Sequence, residues 1–343
     1  MDKIRVMVVD DSALMRKIIR DMIEENEDME VVAVARNGIE LLNNVNMLKP
    51  DVITLDIEMP KMDGLTALKE LKRKGVTAKI IMLSSLTAKG ADITLECLEN
   101  GAFDFIQKPS GAISLDINKV QGELVNRIRS TITSKKMEPR KIVVPKAKAI
   151  SNNINMKIDA LVLGASTGGP KAITEVITKL PGNLGFPILI VQHMPKGFTK
   201  AFADRLNKNS KLTVVEGKHG DLIENNTVYI APGGYHMEVS RERRLSMNQE
   251  PPIWGVRPAV DKLFISAAEV YKSNLASVIL TGMGRDGAKG TEIIKSVGGI
   301  TISEDESTCT IYGMPKAAYE TGKVDEVIPL YKIPDKIKNL SKV

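Results

Sequence analysis

Two cysteines in 343 residues, Cys97 and Cys309, are too few and too far apart for a disulfide framework or a thiolate metal site. They read as free thiols, buried or half-buried. Only three histidines occur, His193, His219 and His236, so any imidazole chemistry must use one of them. No apolar run approaches the roughly 20 residues that a spanning helix needs. The opening Met1-Asp2-Lys3-Ile4-Arg5-Val6 runs directly into a strand-like segment and lacks a signal-peptide layout, so the expectation is a cytoplasmic protein without membrane insertion. Internal repeats and low-complexity tracts are also missing.

What is present is ordinary globular material, 43% hydrophobic and 26% charged, of a length that suits two domains. The net charge of +6 is unevenly placed. Residues 127–157 carry nine Lys or Arg against Glu138 alone, so this stretch holds +8 and the remainder sums to −2. The basicity therefore belongs to a connecting segment, which argues against a nucleic-acid-binding face. Residues 1–125 alternate β-branched strands with helix-period stretches, residues 126–157 read for the most part as a basic linker rich in Lys, Ser, Asn and Pro whose first part can continue the preceding helix, and the alternation resumes over 158–343. Repeated strand–helix units predict α/β architecture, two doubly wound parallel-sheet domains.

In a parallel sheet the chemistry gathers beyond the carboxyl ends of the strands. In the first domain those ends carry Asp10-Asp11, Asp56, Ser84 and Lys108-Pro109. Three converging carboxylates repel one another unless a cation joins them, and all-oxygen ligands favour a hard ion such as Mg²⁺. A lysine and a hydroxyl nearby suit phosphoryl oxygens, and Asp56 is the candidate nucleophile. Singly, Asp-Asp before a helix is a common cap and Lys-Pro a common turn; five such positions together are not. Val8-Val9-Asp10-Asp11-Ser12, Asp56-Ile57-Glu58-Met59-Pro60-Lys61-Met62-Asp63-Gly64, Ser84-Ser85 and Lys108-Pro109 resemble the receiver domain of two-component response regulators. The resemblance implies a flavodoxin-like fold, phosphorylation of Asp56 by a histidine kinase, Mg²⁺ on Asp10, Asp11 and Asp56, phosphate contacts from Ser84 and Lys108, Phe105 as switching aromatic, and a cis Lys108-Pro109 bond.

In the second domain, Asp159-Ala160-Leu161-Val162-Leu163 leads into Gly164-Ala165-Ser166-Thr167-Gly168-Gly169-Pro170. This is a strand, a Gly-x-Ser-x-Gly turn and a helix start, able to lift a serine out of the sheet and aim backbone amides at an oxyanion. Such a turn also cradles phosphates, but neither Gly-x-Gly-x-x-Gly nor Gly-Lys-Ser/Thr is present. As general base the best-placed histidine is His193, after the strand Ile188-Leu189-Ile190-Val191-Gln192; His219 reads as a loop residue and His236 is weaker. Two carboxylates compete to orient it. Asp286, in Thr281-Gly282-Met283-Gly284-Arg285-Asp286-Gly287, is favoured over Asp261, which looks like a first-turn helix residue. The order Ser, His, Asp differs from that of α/β-hydrolases, so a Rossmann-like serine hydrolase domain of independent origin is expected.

These motifs, with Gln192-His193-Met194-Pro195, Ala231-Pro232-Gly233 and Arg257-Pro258, resemble the catalytic domain of chemotaxis protein-glutamate methylesterases, the CheB family. The resemblance implies a Ser166–His193–Asp286 triad, with oxyanion contacts from backbone amides near Thr167 and Met283. It implies hydrolysis of γ-glutamyl methyl esters, and deamidation of glutamines, on the cytoplasmic helices of chemoreceptors, with no cofactor for the ester step. A chemotaxis histidine kinase is the implied phosphodonor, and the unphosphorylated receiver is implied to restrain the catalytic domain.

Overall fold

The computed structural model describes residues 3–85, 87–108, 115–133 and 157–341. The chain divides into two compact units, Met1–Met137 and Glu138–Val343. The first comprises β1 (Ile4–Val9), α1 (Ala13–Glu24), β2 (Met29–Ala35), α2 (Gly38–Leu48), β3 (Val52–Asp56), α3 (Gly64–Arg73), β4 (Lys79–Ser84), α4 (Ala88–Glu99), β5 (Asp104–Gln107) and α5 (Leu115–Thr133). Its sheet has the order β2-β1-β3-β4-β5, every pair parallel. This is the flavodoxin-like order, with the reversal of strand order between β1 and β3. Buried on both faces, the strands read as nearly unbroken apolar runs: Val6 to Val9 are fully buried.

Helix α5 continues to Thr133, past position 125, and draws part of the basic run into the first unit. Arg127 Nε lies 2.9 Å from Asp104 Oδ2, and Arg129 Nε 2.8 Å from Asp28 Oδ2. Two of the cations that the sequence assigns to a linker are thus ion-paired to folded structure. The remaining linker positions 134–156, and Pro109 with its expected cis bond, lie outside the described residues.

The second unit comprises β6 (Ala160–Ala165), α6 (Gly169–Ile177), β7 (Ile188–Gln192), α7 (Phe198–Asn209), β8 (Thr213–Glu216), β9 (Thr227–Ile230), β10 (His236–Val239), β11 (Leu245–Asn248), α8 (Val260–Tyr271), β12 (Leu275–Ile279), α9 (Ala288–Ser296), β13 (Ile300–Glu304), α10 (Met314–Glu320), β14 (Glu326–Ile328) and α11 (Ile333–Leu340). Seven strands form one parallel sheet in the order β14-β13-β12-β6-β7-β9-β8. From β6 the chain builds outward through β7, then returns to add β12 on the other side. The crevice at the ends of β6 and β12 is therefore the topological switch point where ligands of such sheets bind. A core of Val162, Leu189, Val191, Val260, Phe264 and Leu275, with their neighbours, packs α8 against this sheet. An antiparallel hairpin, β10–β11, is added to the parallel plan. Among the described residues, no helix is long and apolar enough to cross a membrane. Cys97 and Cys309 are both free, the first buried and the second half-buried.

Candidate functional site

In the first unit the strand ends collect the acidic residues. Asp10 follows β1 and is fully buried; Asp56 ends β3 and is 3% exposed. Lys108 Nζ stands between them, 2.7 Å from Asp10 Oδ2 and 2.8 Å from Asp56 Oδ2. Carboxylate oxygens of Asp10, Asp11 and Asp56 lie within 4.8 Å of one another, with Asp11 at the exposed edge. The cap of α1 is neither aspartate but Ser12, whose side chain accepts from the Met15 amide. Asp10 Oδ1 accepts from the Ser12 amide at 2.9 Å, and its Oδ2 is turned to the site. Burial pushes the Asp56 carboxyl up to about 6, against the opposing pull of Lys108. Burial alone would lower the Lys108 ammonium, but its bonds to Asp10 and Asp56 outweigh that and leave it raised. One ammonium cannot offset three carboxylates, and an all-oxygen donor set of this kind fits a hard divalent cation. Ser84 ends β4 fully buried, and its Oγ accepts a 2.7 Å hydrogen bond from Thr94 Oγ1 of α4. Phe105 is buried in β5, in register with Met82.

In the second unit the sheet brings Ser166, His193 and Asp286 to the switch point. Ser166 follows β6; its amide donates to Thr281 O at 3.0 Å, and its carbonyl accepts from the Gly169 amide at 2.7 Å, closing the turn. His193 follows β7, with its amide bonded to Ala165 O at 3.1 Å. Its ring Nε2 lies 2.8 Å from Asp286 Oδ2. Asp286 is 2% exposed, and the same carboxylate receives the amides of Val260 (2.6 Å) and Asp261 (2.9 Å) at the start of α8. Gly282 presses on the nucleophile turn: a Cβ there would stand 2.8 Å from Ser166 Cβ. The Met283 amide next to it makes no hydrogen bond among the described residues.

The rival carboxylate has a different task. Asp261 Oδ1 accepts from the amides of Gly287 (3.0 Å) and Gly290 (2.8 Å) at the start of α9. Asp286 and Asp261 thus exchange caps: each sits at one helix start and holds the other. Burial raises the Asp261 carboxyl, and the neighbouring charge of Asp286 adds to this. Asp261 Oδ2 accepts from Trp254 Nε1 at 3.4 Å, and Arg285 stacks on the Trp254 ring with its guanidinium carbon 5.2 Å from the centroid. His236 is fully buried with both ring nitrogens engaged, Nδ1 by the Ala259 amide and Nε2 by Pro251 O. That satisfied environment marks it as structural. His219 Nδ1 accepts from the Met247 amide in an exposed loop.

Sequence reasoning assigned no role to two residues of this site. Thr281 is a hub: its amide donates to Glu304 Oε2 at 2.7 Å, its Oγ1 bonds Thr167 O at 3.0 Å, and its carbonyl receives Ser166. Gln192 is the other, a polar side chain ending an apolar strand, and that break in pattern and its place in the Gln192-His193-Met194-Pro195 motif were its visible signals.

A flavodoxin-order domain with a buried acidic cluster, on one chain with an α/β domain that gathers serine, histidine and aspartate at its switch point, defines a response regulator with an enzyme as output. Known families agree. A model described as "Response regulator receiver domain" matches residues 6–117, and one described as "CheB methylesterase" matches residues 161–337. A protein-glutamate methylesterase/protein-glutamine glutaminase of Clostridium acetobutylicum is 54% identical, covering 98% of this chain and 97% of that protein. Its counterpart from Thermotoga maritima is 46% identical, covering 98% of this chain and 98% of that protein. The solved Thermotoga maritima CheB methylesterase catalytic domain superposes with a TM-score of 0.52 at 46% identity, covering 53% of this chain and 98% of that one. The chain belongs to the CheB methylesterase family.

Proposed function

We propose that this chain is a phosphorylation-regulated protein-glutamate methylesterase that also deamidates protein glutamines, with Ser166, His193 and Asp286 as its triad and the cytoplasmic helices of methylated chemoreceptors as substrate. The observation that carries the triad is the 2.8 Å bond between His193 Nε2 and the buried Asp286 carboxylate, at the strand ends beside Ser166. Asp286 holds the proton on Nε2, so the basic nitrogen is Nδ1. The two ring nitrogens are exchanged relative to the chymotrypsin arrangement, while the roles are kept.

In this reading His193 Nδ1 takes the Ser166 hydroxyl proton as Oγ attacks the ester carbonyl. Backbone amides near Thr167 and Met283 receive the developing oxyanion; a donor so placed is worth roughly 3–4 kcal/mol. The proton then passes from His193 to the departing methoxide, which leaves as methanol, or to the amide nitrogen of a glutamine, which leaves as ammonia. A water, deprotonated by His193, releases the glutamate. Asp286 stabilises the imidazolium in both halves, and its own charge is held by two fixed backbone amides. The ester step needs no cofactor.

In the receiver, Asp56 is the phosphate acceptor from a chemotaxis histidine kinase, with Ser84 and Lys108 as phosphate contacts and Phe105 as the switching aromatic. Asp10, Asp11 and Asp56 would hold Mg²⁺, which supplies charge neutralisation for the transferred group. Added charge on Asp56 shifts the output only if the two arrangements of the protein bind it unequally. The testing experiment is methanol release from membranes that carry methylated receptors, with phosphodonor and Mg²⁺. Ser166→Ala is expected to lower release by at least about 10⁴-fold, and Asp56→Asn to remove the response to phosphodonor. Undiminished release in Ser166→Ala would overturn the catalytic assignment; full activation of Asp56→Asn would overturn the regulatory one.

A further inference from the structure

Gln192 is 2% exposed at the end of β7, immediately before the proposed base. Its Nε2 donates two hydrogen bonds, one to the Ser166 carbonyl and one to the His193 carbonyl, each 3.0 Å. Both protons of the amide are therefore spent on the backbone of the nucleophile and the backbone of the base. The Ser166 carbonyl, which also accepts from Gly169, has both lone pairs filled. The opposite end of the amide is placed by packing alone. Gln192 Oε1 has no hydrogen-bond partner among the described residues and presses on Gly169, where a Cβ would stand 1.9 Å from it. It faces the first turn of α6, the positive end of that helix. Rotating the amide by half a turn would set Oε1 against two carbonyl oxygens, so one orientation alone is tolerable.

We infer that Gln192 is a positioning residue for ester hydrolysis: its side-chain amide ties the Ser166 turn to the His193 position and sets the separation of nucleophile and base. The inference rests on the triad reading above. A leucine or methionine would fill the same space in a buried strand. The two donated bonds are what such a residue cannot supply, and they reach the two residues whose relative placement governs proton transfer.

The test uses the full-length protein and two substitutions. Gln192→Met keeps the chain length and loses both donors. Gln192→Glu keeps the shape, and as a neutral acid can donate one hydrogen bond. Methanol release from methylated-receptor membranes gives kcat and KM, a fluorophosphonate reports Ser166 reactivity, and thermal unfolding reports the fold. Gln192→Met is expected to lower kcat roughly 10- to 100-fold, the order of loss for reacting groups displaced by about 1 Å. KM should stay within about twofold, and labelling should slow by the same factor as kcat. The Gln192→Glu deficit relative to wild type should narrow as pH falls and the acid becomes neutral. Wild-type kcat in Gln192→Met overturns the inference, as does a loss that merely follows the folded fraction. Should Gln192→Met fail to fold, a pH-independent deficit in Gln192→Glu overturns it. A wild type that is neither labelled nor active removes the triad reading and the inference together; an active, labelled wild type beside an unimpaired Gln192→Met removes the inference alone.

Discussion

Both units bury an aspartate at the carboxyl end of a parallel sheet, yet they compensate its charge in opposite ways. Asp56 is met chiefly by one flexible side chain, Lys108, with a single long bond from the Glu58 amide at 3.4 Å, and is crowded by Asp10. Asp286 is met by two backbone amides of α8 and by a histidine that is itself held by the β7–β6 ladder. Side-chain compensation can be rearranged when a phosphoryl group or a cation arrives. Backbone compensation is fixed when the protein folds and needs no reorganisation during catalysis. On the proposed function, the first site changes its charge and the second keeps it.

The sharpest way to break this contrast is at Asp286. Asp286→Asn keeps one of the two acceptors that hold α8 and loses the charge facing His193, and kcat for methanol release per folded molecule should fall by about 10⁴-fold. A loss below about tenfold would mean that the backbone, not the carboxylate, orients the ring.

The next effect concerns stability. Lys108→Met leaves Asp10 and Asp56 facing each other, and the receiver should lose about 2 kcal/mol in the absence of divalent cation. This is less than the roughly 3–5 kcal/mol of a fully buried pair, because the Lys108 side chain is 19% exposed. Denaturant titration with Mg²⁺ should recover part of the loss, since the cation binds only the folded cluster. Mg²⁺ that fails to stabilise the variant would contradict the cation reading.

The smallest effect sharpens the contrast by pH. Glu304 lies fully buried beneath Thr281, and burial pushes its carboxyl from 4.5 up to about 7, moderated by the Thr281 amide, Thr308 and Cys309. A raised folded-state value means that the folded form holds its proton longer than the unfolded chain. Stability of the second unit should therefore fall as pH rises from about 4.5 to 7, by at most about 3 kcal/mol. Glu304→Gln should flatten that fall, followed by unfolding through Trp254, the only tryptophan. An unchanged pH slope would assign the decline to other groups.

Much of this was legible before any coordinates. Repeated apolar runs mark strands that are covered on both faces, and the residues at their ends, Asp10, Asp56, Lys108, Ser166 and His193, follow from sheet topology. Less visible were the short strands β8, β10, β11 and β14, whose three or four residues carry too little pattern to separate from loops. That the basic segment begins as a continuation of the preceding helix was open to the sequence, but its extent to Thr133 was not, because Arg127 and Arg129 look like linker cations until Asp104 and Asp28 are seen opposite them.

The sequence by itself determined the parallel-sheet plan, the two glycine-rich turns and the polar side chains at the strand ends, because these depend on local period and on glycine placement. Only the tertiary structure set Asp286, not Asp261, against the His193 ring, set both nitrogens of His236 against backbone, and placed Gln192 between two carbonyls. Apart from the bond of Gln192 to its neighbour His193, those outcomes depend on which backbone groups, 15 residues away or more, arrive at a given ring nitrogen, carboxylate or amide. Such long-range pairing leaves no periodic trace in the chain.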